Sequence, residues 1–273
     1  MIKDITLGQF FPGNTVVHKL DPRMKIILTI AYIVSIFLAK NMWSFIAVVA
    51  SALLLVIVSK ISFKTILKSM KPLIFVLAFT TFFNLFWTTG DVLLISFWKI
   101  NIYLEGVVFS VMMILRITSL LVGTTVLLTY TTSPIMLTDA LERLLSPLRL
   151  IKLPVHEFSM MMTIALRFIP TLVEETDKIM SAQKARGADF ESGSLMRRAK
   201  ALIPILIPLF ISAFRRADDL ATAMECRCYR GGDGRTRMTK LKLALRDFGA
   251  IILMAAFITG IVFLNLTPCP ISM

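Results

Sequence analysis

Arg186 stands between Ala185 and Gly187, and Arg227 stands between Cys226 and Cys228. The segments that carry them match without gaps: Asp177 meets Asp218, Ser181 meets Thr222, Ala182 meets Ala223 and Arg186 meets Arg227. Small neighbours let a partner's backbone come close to a guanidinium. The guanidinium can then make paired hydrogen bonds to carboxylates or carbonyl oxygens. One arginine near a helix C-terminus only complements the helix dipole, worth a few tenths to about 1 kcal/mol. Two matched copies point instead to binding chemistry, a pair of docking anchors. Glycine follows each of them, as Gly187 itself and as Gly231-Gly232, which is a helix-stop signal.

Other chemistry finds no residues to carry it. Cys226-x-Cys228 has no nearby histidine or third cysteine, so a metal site is not expected. Three cysteines, the third being Cys269, make no disulfide framework. His18 and His156 are the only histidines and lie far apart. The sequence shows neither a His-Glu-x-x-His zinc motif nor a Gly-x-Ser-x-Gly nucleophile elbow. Gly231-Gly232-Asp233-Gly234-Arg235 lacks the spacing and the lysine of a phosphate-binding loop. The reading is a non-enzyme that binds no cofactor or metal directly, so any energy comes from a partner.

The elements that must position these arginines are apolar. The chain has 273 residues, of which 56% are hydrophobic and 17% charged, with mean hydropathy +0.79. Soluble domains average about 45–50% apolar and about 25% charged. This excludes disorder, a disulfide scaffold and an ordinary soluble enzyme, and indicates a multi-pass membrane protein. Apolar runs cover Ile26–Ala39, Trp43–Val58, Leu73–Trp87, Val107–Leu128 and Gly249–Leu266. They predict spanning helices at about 26–40, 43–59, 72–88 and 106–129, in a membrane domain 1–129, and a last one within 248–273. No cleaved signal peptide is visible at the start.

Charge sets the orientation. The net charge is +13. Lys3, His18, Lys19, Arg23 and Lys25 precede the first run, and Lys60, Lys64, Lys68 and Lys71 follow the second with no acid among them. Loop 88–105 carries Lys99 against Asp91 and Glu105. Five spans with a cytoplasmic N-terminus put every basic loop inside and Cys269 outside. The four spaced lysines suit anionic lipid, at about 1 kcal/mol each. Basic residues are not gathered in one polar domain, so no nucleic-acid partner is expected. Alternation around Lys99, Asn101 and Tyr103 suggests a short external hairpin.

Residues 130–247 form a long basic insert that is still rich in apolar residues, read as a cytoplasmic or interfacial domain. Three helices are expected, at about 134–147, 155–186 and 195–228. Ser133-Pro134 opens the first as N-cap and first-turn proline. Phe158–Val173 contains Arg167 and Pro170, and Ala201–Phe214 is flanked by Arg197, Arg198, Lys200, Arg215 and Arg216. At about 1.5 Å per residue Ala201–Phe214 reaches about 21 Å, short of the ~30 Å bilayer core. Long helices lying along the inner interface are one reading, and two further spans the other. Arg116 falls inside the fourth span, where a charge costs at least ~2.5–3.5 kcal/mol. A local structural bond and a coupling role both fit it. Met112, Met113 and Met160–Met162 read as core or as an adaptable gripping surface.

With these motifs assembled, the chain resembles the transmembrane T component of energy-coupling factor transporters, a branch of the ABC transporters. Gly8-Gln9-Phe10-Phe11-Pro12-Gly13 with His18–Lys25 carries the resemblance, as do Ala185-Arg186-Gly187 and the stretch Ala223–Gly232. It covers nearly the whole chain, and it departs where cysteines flank Arg227. The resemblance implies an all-α polytopic fold of about five spans plus a cytoplasmic coupling domain of long amphipathic helices. It implies that Ala185, Arg186, Gly187, Cys226, Arg227 and Cys228 dock two ABC-type ATPase subunits, which carry the ATP and magnesium. It also implies a small membrane-embedded substrate-binding S subunit, met here by Leu202, Ile205, Leu206, Leu209, Phe210 and Met161, for uptake of vitamins or other micronutrients. A conventional ABC permease that forms its own translocation path is the main rival, and a membrane-embedded enzyme a third class. The rival would need polar lining, and the spans offer little beyond Asn84, Arg116 and scattered Ser and Thr.

Overall fold

A computed structural model describes residues 10–88, 93–97, 100–190, 194–231 and 243–267. The chain runs through α1 (Pro22–Leu38), α2 (Met42–Ser59), α3 (Phe63–Met70), α4 (Ile74–Trp87), β1 (Leu93–Phe97) and β2 (Ile100–Tyr103). It continues through α5 (Leu104–Thr124), α6 (Pro134–Leu144), α7 (Val155–Ala185), α8 (Leu195–Cys226) and α9 (Leu245–Leu266). Among the described residues the fold is all-α apart from one hairpin, in which Ser96 pairs with Asn101 and Phe97 with Ile100 in antiparallel register. That hairpin is the one the alternating residues predict; Lys99 lies outside the described residues, as do Gly8, Gln9, Gly232 and Cys269.

Two compact units result: Gly8–Leu137 with Leu241–Met273, and Thr138–Lys240. In the first, Met42–Ser59, Phe63–Trp87, Leu104–Tyr130 and Leu245–Leu266 are long and apolar enough to cross a membrane. Helix α1 has 17 residues, about 25 Å of rise and the lower end of the spanning range. It packs against α5 and α9. Tyr32, Ile36, Phe45, Val48, Met112 and Ile261 form the core between these helices. Gly123 lies against the Tyr32 ring, so that a Cβ there would collide with it.

Helix ends inside a bilayer have no water to satisfy their last carbonyls. The chain answers with polar side chains from neighbouring helices. Arg116 donates to the Ala39 carbonyl at 3.0 Å and lies over the Phe45 ring at 5.1 Å. Asn265 donates to the Leu38 carbonyl at 2.7 Å. Asn41 returns the favour, donating to the carbonyls of Leu264, Asn265 and Thr267 at the end of α9. Of the two readings of Arg116, the structural bond is the one with contacts: it closes the end of α1. At the opposite end, Asp21 caps α1 by accepting from the Arg23 N–H at 2.9 Å, with Pro22 in the first turn. The last turn of α5 widens into a π-helix at Thr125–Tyr130.

Candidate functional site

The expected helices of the insert form within a few residues of their predicted bounds. Ser133 Oγ accepts from the Met136 N–H at 3.3 Å, so α6 opens on the N-cap read from the sequence. In the second unit α7 and α8 pack together. They have 31 and 32 residues, with Pro170 inside the first and Pro204 and Pro208 inside the second. Thr138 and Thr163 join α6 to α7 through their hydroxyls at 3.4 Å, and His156 Nδ1 meets Glu142 Oε1 at 3.0 Å.

Both arginines occupy the same position in the same cap. Arg186 is the C-cap of α7, and Gly187 follows with φ +86°. The Ala188 N–H donates to the Gln183 carbonyl at 3.0 Å and the Gly187 N–H to the Lys184 carbonyl at 3.0 Å. This is a Schellman motif. Arg227 is the C-cap of α8, and Cys228 follows with φ +53°. The Tyr229 N–H donates to the Met224 carbonyl at 3.0 Å and the Cys228 N–H to the Glu225 carbonyl at 2.8 Å. The second cap repeats both Schellman bonds of the first. Helix α8 therefore ends at Cys226, with Arg227 as its cap and Cys228 just past it, close to the expected end at about 228. A cysteine fills the left-handed position that the first copy gives to glycine. Ala185, Arg186, Gly187, Cys226, Arg227 and Cys228 are all exposed. The closed cap points each arginine site outward with its backbone hydrogen bonds already made.

The sequence reading missed what holds the two arms together. Arg216 donates to Glu175 Oε2 at 2.8 Å across α7 and α8. In the gap-free match of the two arms, Glu175 and Arg216 are equivalent positions. The contact therefore pairs like positions of the two arms. Each residue lies eleven positions before its own arginine, about 16 Å along the helix. A hydrogen bond from Ser212, then the Arg216 charge, holds the Glu175 carboxyl below its ordinary value. The signal was present in the shared 41-residue offset, but the opposite charges hid the equivalence.

The apolar face expected around Ala201–Phe214 is largely open. Leu202, Leu206 and Phe210 are exposed by 47%, 57% and 64%, and Leu209 is half-buried. Met161 on α7 is exposed, as is Met162, whereas Met112 is core. Ile205 is 4% exposed; it packs inward and leaves that face, which its apolar type alone could not reveal. Among the described residues no group of three potential metal ligands comes together. Cys226 and Cys228 are free thiols.

Comparison with known proteins bears on what such a pair of arms serves. Residues 13–238 match the family described as CbiQ, cobalt transport protein. A protein of Clostridium kluyveri called energy-coupling factor transporter transmembrane protein EcfT is 55% identical over 249 residues, spanning 91% of this chain and 92% of its own. Proteins with the same name from Ruminiclostridium cellulolyticum and Listeria innocua are 51% and 45% identical, each spanning at least 96% of both chains.

Proposed function

This chain belongs to the CbiQ family, as a multi-pass transmembrane component of energy-coupling factor transporters, and from that premise we propose that it is the scaffold coupling two ATPase subunits to a separate substrate-binding subunit. The observation that carries the proposal is the duplicated cap: two long helices, joined at equivalent residues, each present one arginine on an identically closed end. Two like sockets are what a pair of ATPases of one fold would offer. Arg186 and Arg227 each enter one socket, and their small neighbours let its backbone approach. ATP and magnesium reside on those subunits, and this chain performs no chemistry.

The open apolar residues Leu202, Leu206, Phe210 and Met161, with half-buried Leu209 beside them, support a contact with a small membrane-embedded S subunit. Exposed apolar area of this kind favours a lipid or protein cover. Hydrolysis moves the two arginine-tipped ends, the long helices pass the motion on, and the S subunit releases a vitamin or other micronutrient inward. The excess of basic residues in 130–247 supports a cytoplasmic position for the arms, with the N-terminus inside and the C-terminus outside. The test is co-purification of the tagged chain from its own cells. Two ATPases and a small membrane protein are expected. ATPases without the small protein would mean a conventional permease, and the absence of both would refute the proposal.

A further inference from the structure

Among the described residues, a second set of buried charges lies in the membrane unit, apart from the arms. Lys25 is 1% exposed, yet its ammonium makes three hydrogen bonds. It donates to the Thr131 carbonyl at 2.7 Å, to Thr132 Oγ1 at 3.2 Å and to the His18 carbonyl at 3.2 Å. A buried ammonium has three protons to place, and all three are placed. Its countercharge is Asp247, 2% exposed. Asp247 accepts from the Asp21 N–H at 2.9 Å through one oxygen and from the Ala244 N–H at 2.7 Å through the other. Asp21, 6% exposed, takes both arms of the Arg23 guanidinium at 3.1 and 2.9 Å. The Phe11 N–H donates to the Tyr130 carbonyl at 3.0 Å, and the two rings meet edge to face.

The placement of these partners in the chain matters. The chain leaves the membrane unit after Leu137 and returns to it at Leu241. Thr131 and Thr132 stand just before the exit, on the carbonyl end of the π-helix. Ala244 and Asp247 stand just after the return, at the start of α9. One side chain, Lys25, therefore grips the exit while its countercharge holds the return, and Asp21 bonds the second to the first turn of α1. Burying charge is costly unless every partner is supplied, and a plain apolar contact would have closed this end of the bundle.

We propose that Lys25, Asp247 and Asp21 are positioning residues, a clasp that holds the exit near Thr131–Thr132 and the return near Ala244–Asp247 in one fixed relation. It rests on the coupling role proposed above: these are two places where the chain runs between the membrane unit and the arms. A joint that gave way there would absorb the stroke.

The test measures the two passages directly. Spin labels are placed on Met136→Cys and Leu243→Cys, both exposed positions, in a background carrying Cys226→Ala, Cys228→Gly and Cys269→Ser. The full chain is studied in nanodiscs with its co-purified ATPases. The parent gives one narrow distance distribution. Lys25→Met and Asp247→Asn each widen it at least twofold while the ATPases stay bound. Thr132→Val, which removes one of three acceptors, widens it less and serves where Lys25→Met does not fold. A role confined to stability lowers the melting temperature without widening the distribution. An unchanged width in folded Lys25→Met, or in Thr132→Val where that variant stands in, overturns the clasp. Absence of ATPases from the preparation of the unsubstituted chain would refute the coupling role instead, and the widths would still decide the clasp.

Discussion

Exchanging the residues at the left-handed position of the two caps probes the duplicated site with little else disturbed. A residue with a Cβ costs about 1–2 kcal/mol in that conformation. A Cβ built on Gly187 meets nothing within 4 Å, so Gly187→Ala adds backbone strain and no clash. The more restricted unfolded chain returns about 0.4–1 kcal/mol. The net loss is about 1 kcal/mol, or about fivefold in the opening of the cap at 1.4 kcal/mol per decade. Cys228→Gly, at φ +53°, reverses the same balance and tightens its cap by about as much. Hydrogen exchange reads both directly, because the Ala188 and Tyr229 amides close the two motifs. Ala188 should exchange about five times faster in Gly187→Ala, and Tyr229 about five times slower in Cys228→Gly. Unchanged exchange at both amides would refute the claim that the caps are equivalent and that cysteine strains the second.

Four further expectations follow the same reasoning. Arg186→Ala or Arg227→Ala alone should leave a complex that assembles but transports poorly, and the double change should release the ATPases; at about 2–5 kcal/mol per desolvated anchor each loss is about 30- to several-thousand-fold in affinity, and normal pull-down of ATPases by the double variant would sink the docking proposal. Glu175→Arg should separate α7 from α8 in a cysteine cross-linking assay and Glu175→Arg with Arg216→Glu should restore the cross-link; no rescue would mean that this ion pair does not join the arms. An impermeant thiol reagent on intact cells should label Cys269 and spare Cys226 and Cys228, and the reverse pattern would invert the topology. His18 donates from Nε2 to the Phe11 carbonyl at 3.0 Å and accepts at Nδ1 from Thr15 at 2.6 Å, and burial holds its pKa below the ordinary 6.5, so stability is complete above that value and falls as pH drops through the folded pKa; a His18 titration midpoint at or above 6.5 by NMR would contradict this.

The apolar runs were legible because membrane helices advertise themselves by composition, and the arms because their repeat survives in the sequence. Less visible features depend on partners distant in the chain. The match of Cys228 to Gly187 places the helix stop there, but a cysteine's side chain does not advertise a left-handed residue; the bonds of its cap do. Arg116 reads as an expensive charge until Ala39 is beside it. Ile205 and Leu206 are alike in type, and the packing of the second unit alone separates the buried one from the exposed one. Lys25 and Asp247 are distant in sequence, so no local pattern joins them.

The ion pair between α7 and α8 divides each helix unequally. Eleven residues run from it to each arginine, but about twenty run the other way, back to Val155 and Leu195. Pivoting about this pair, each helix is a lever whose far end moves about twice as far as its tip. The three prolines, Pro170, Pro204 and Pro208, all fall on the long side. The short side is unbroken and stiff, suited to taking up load, and the long side can bend as it sweeps. Under the proposed coupling role, a small closing stroke at the arginines would leave the other end enlarged and softened, a gearing that turns a tight ATPase motion into a wide one.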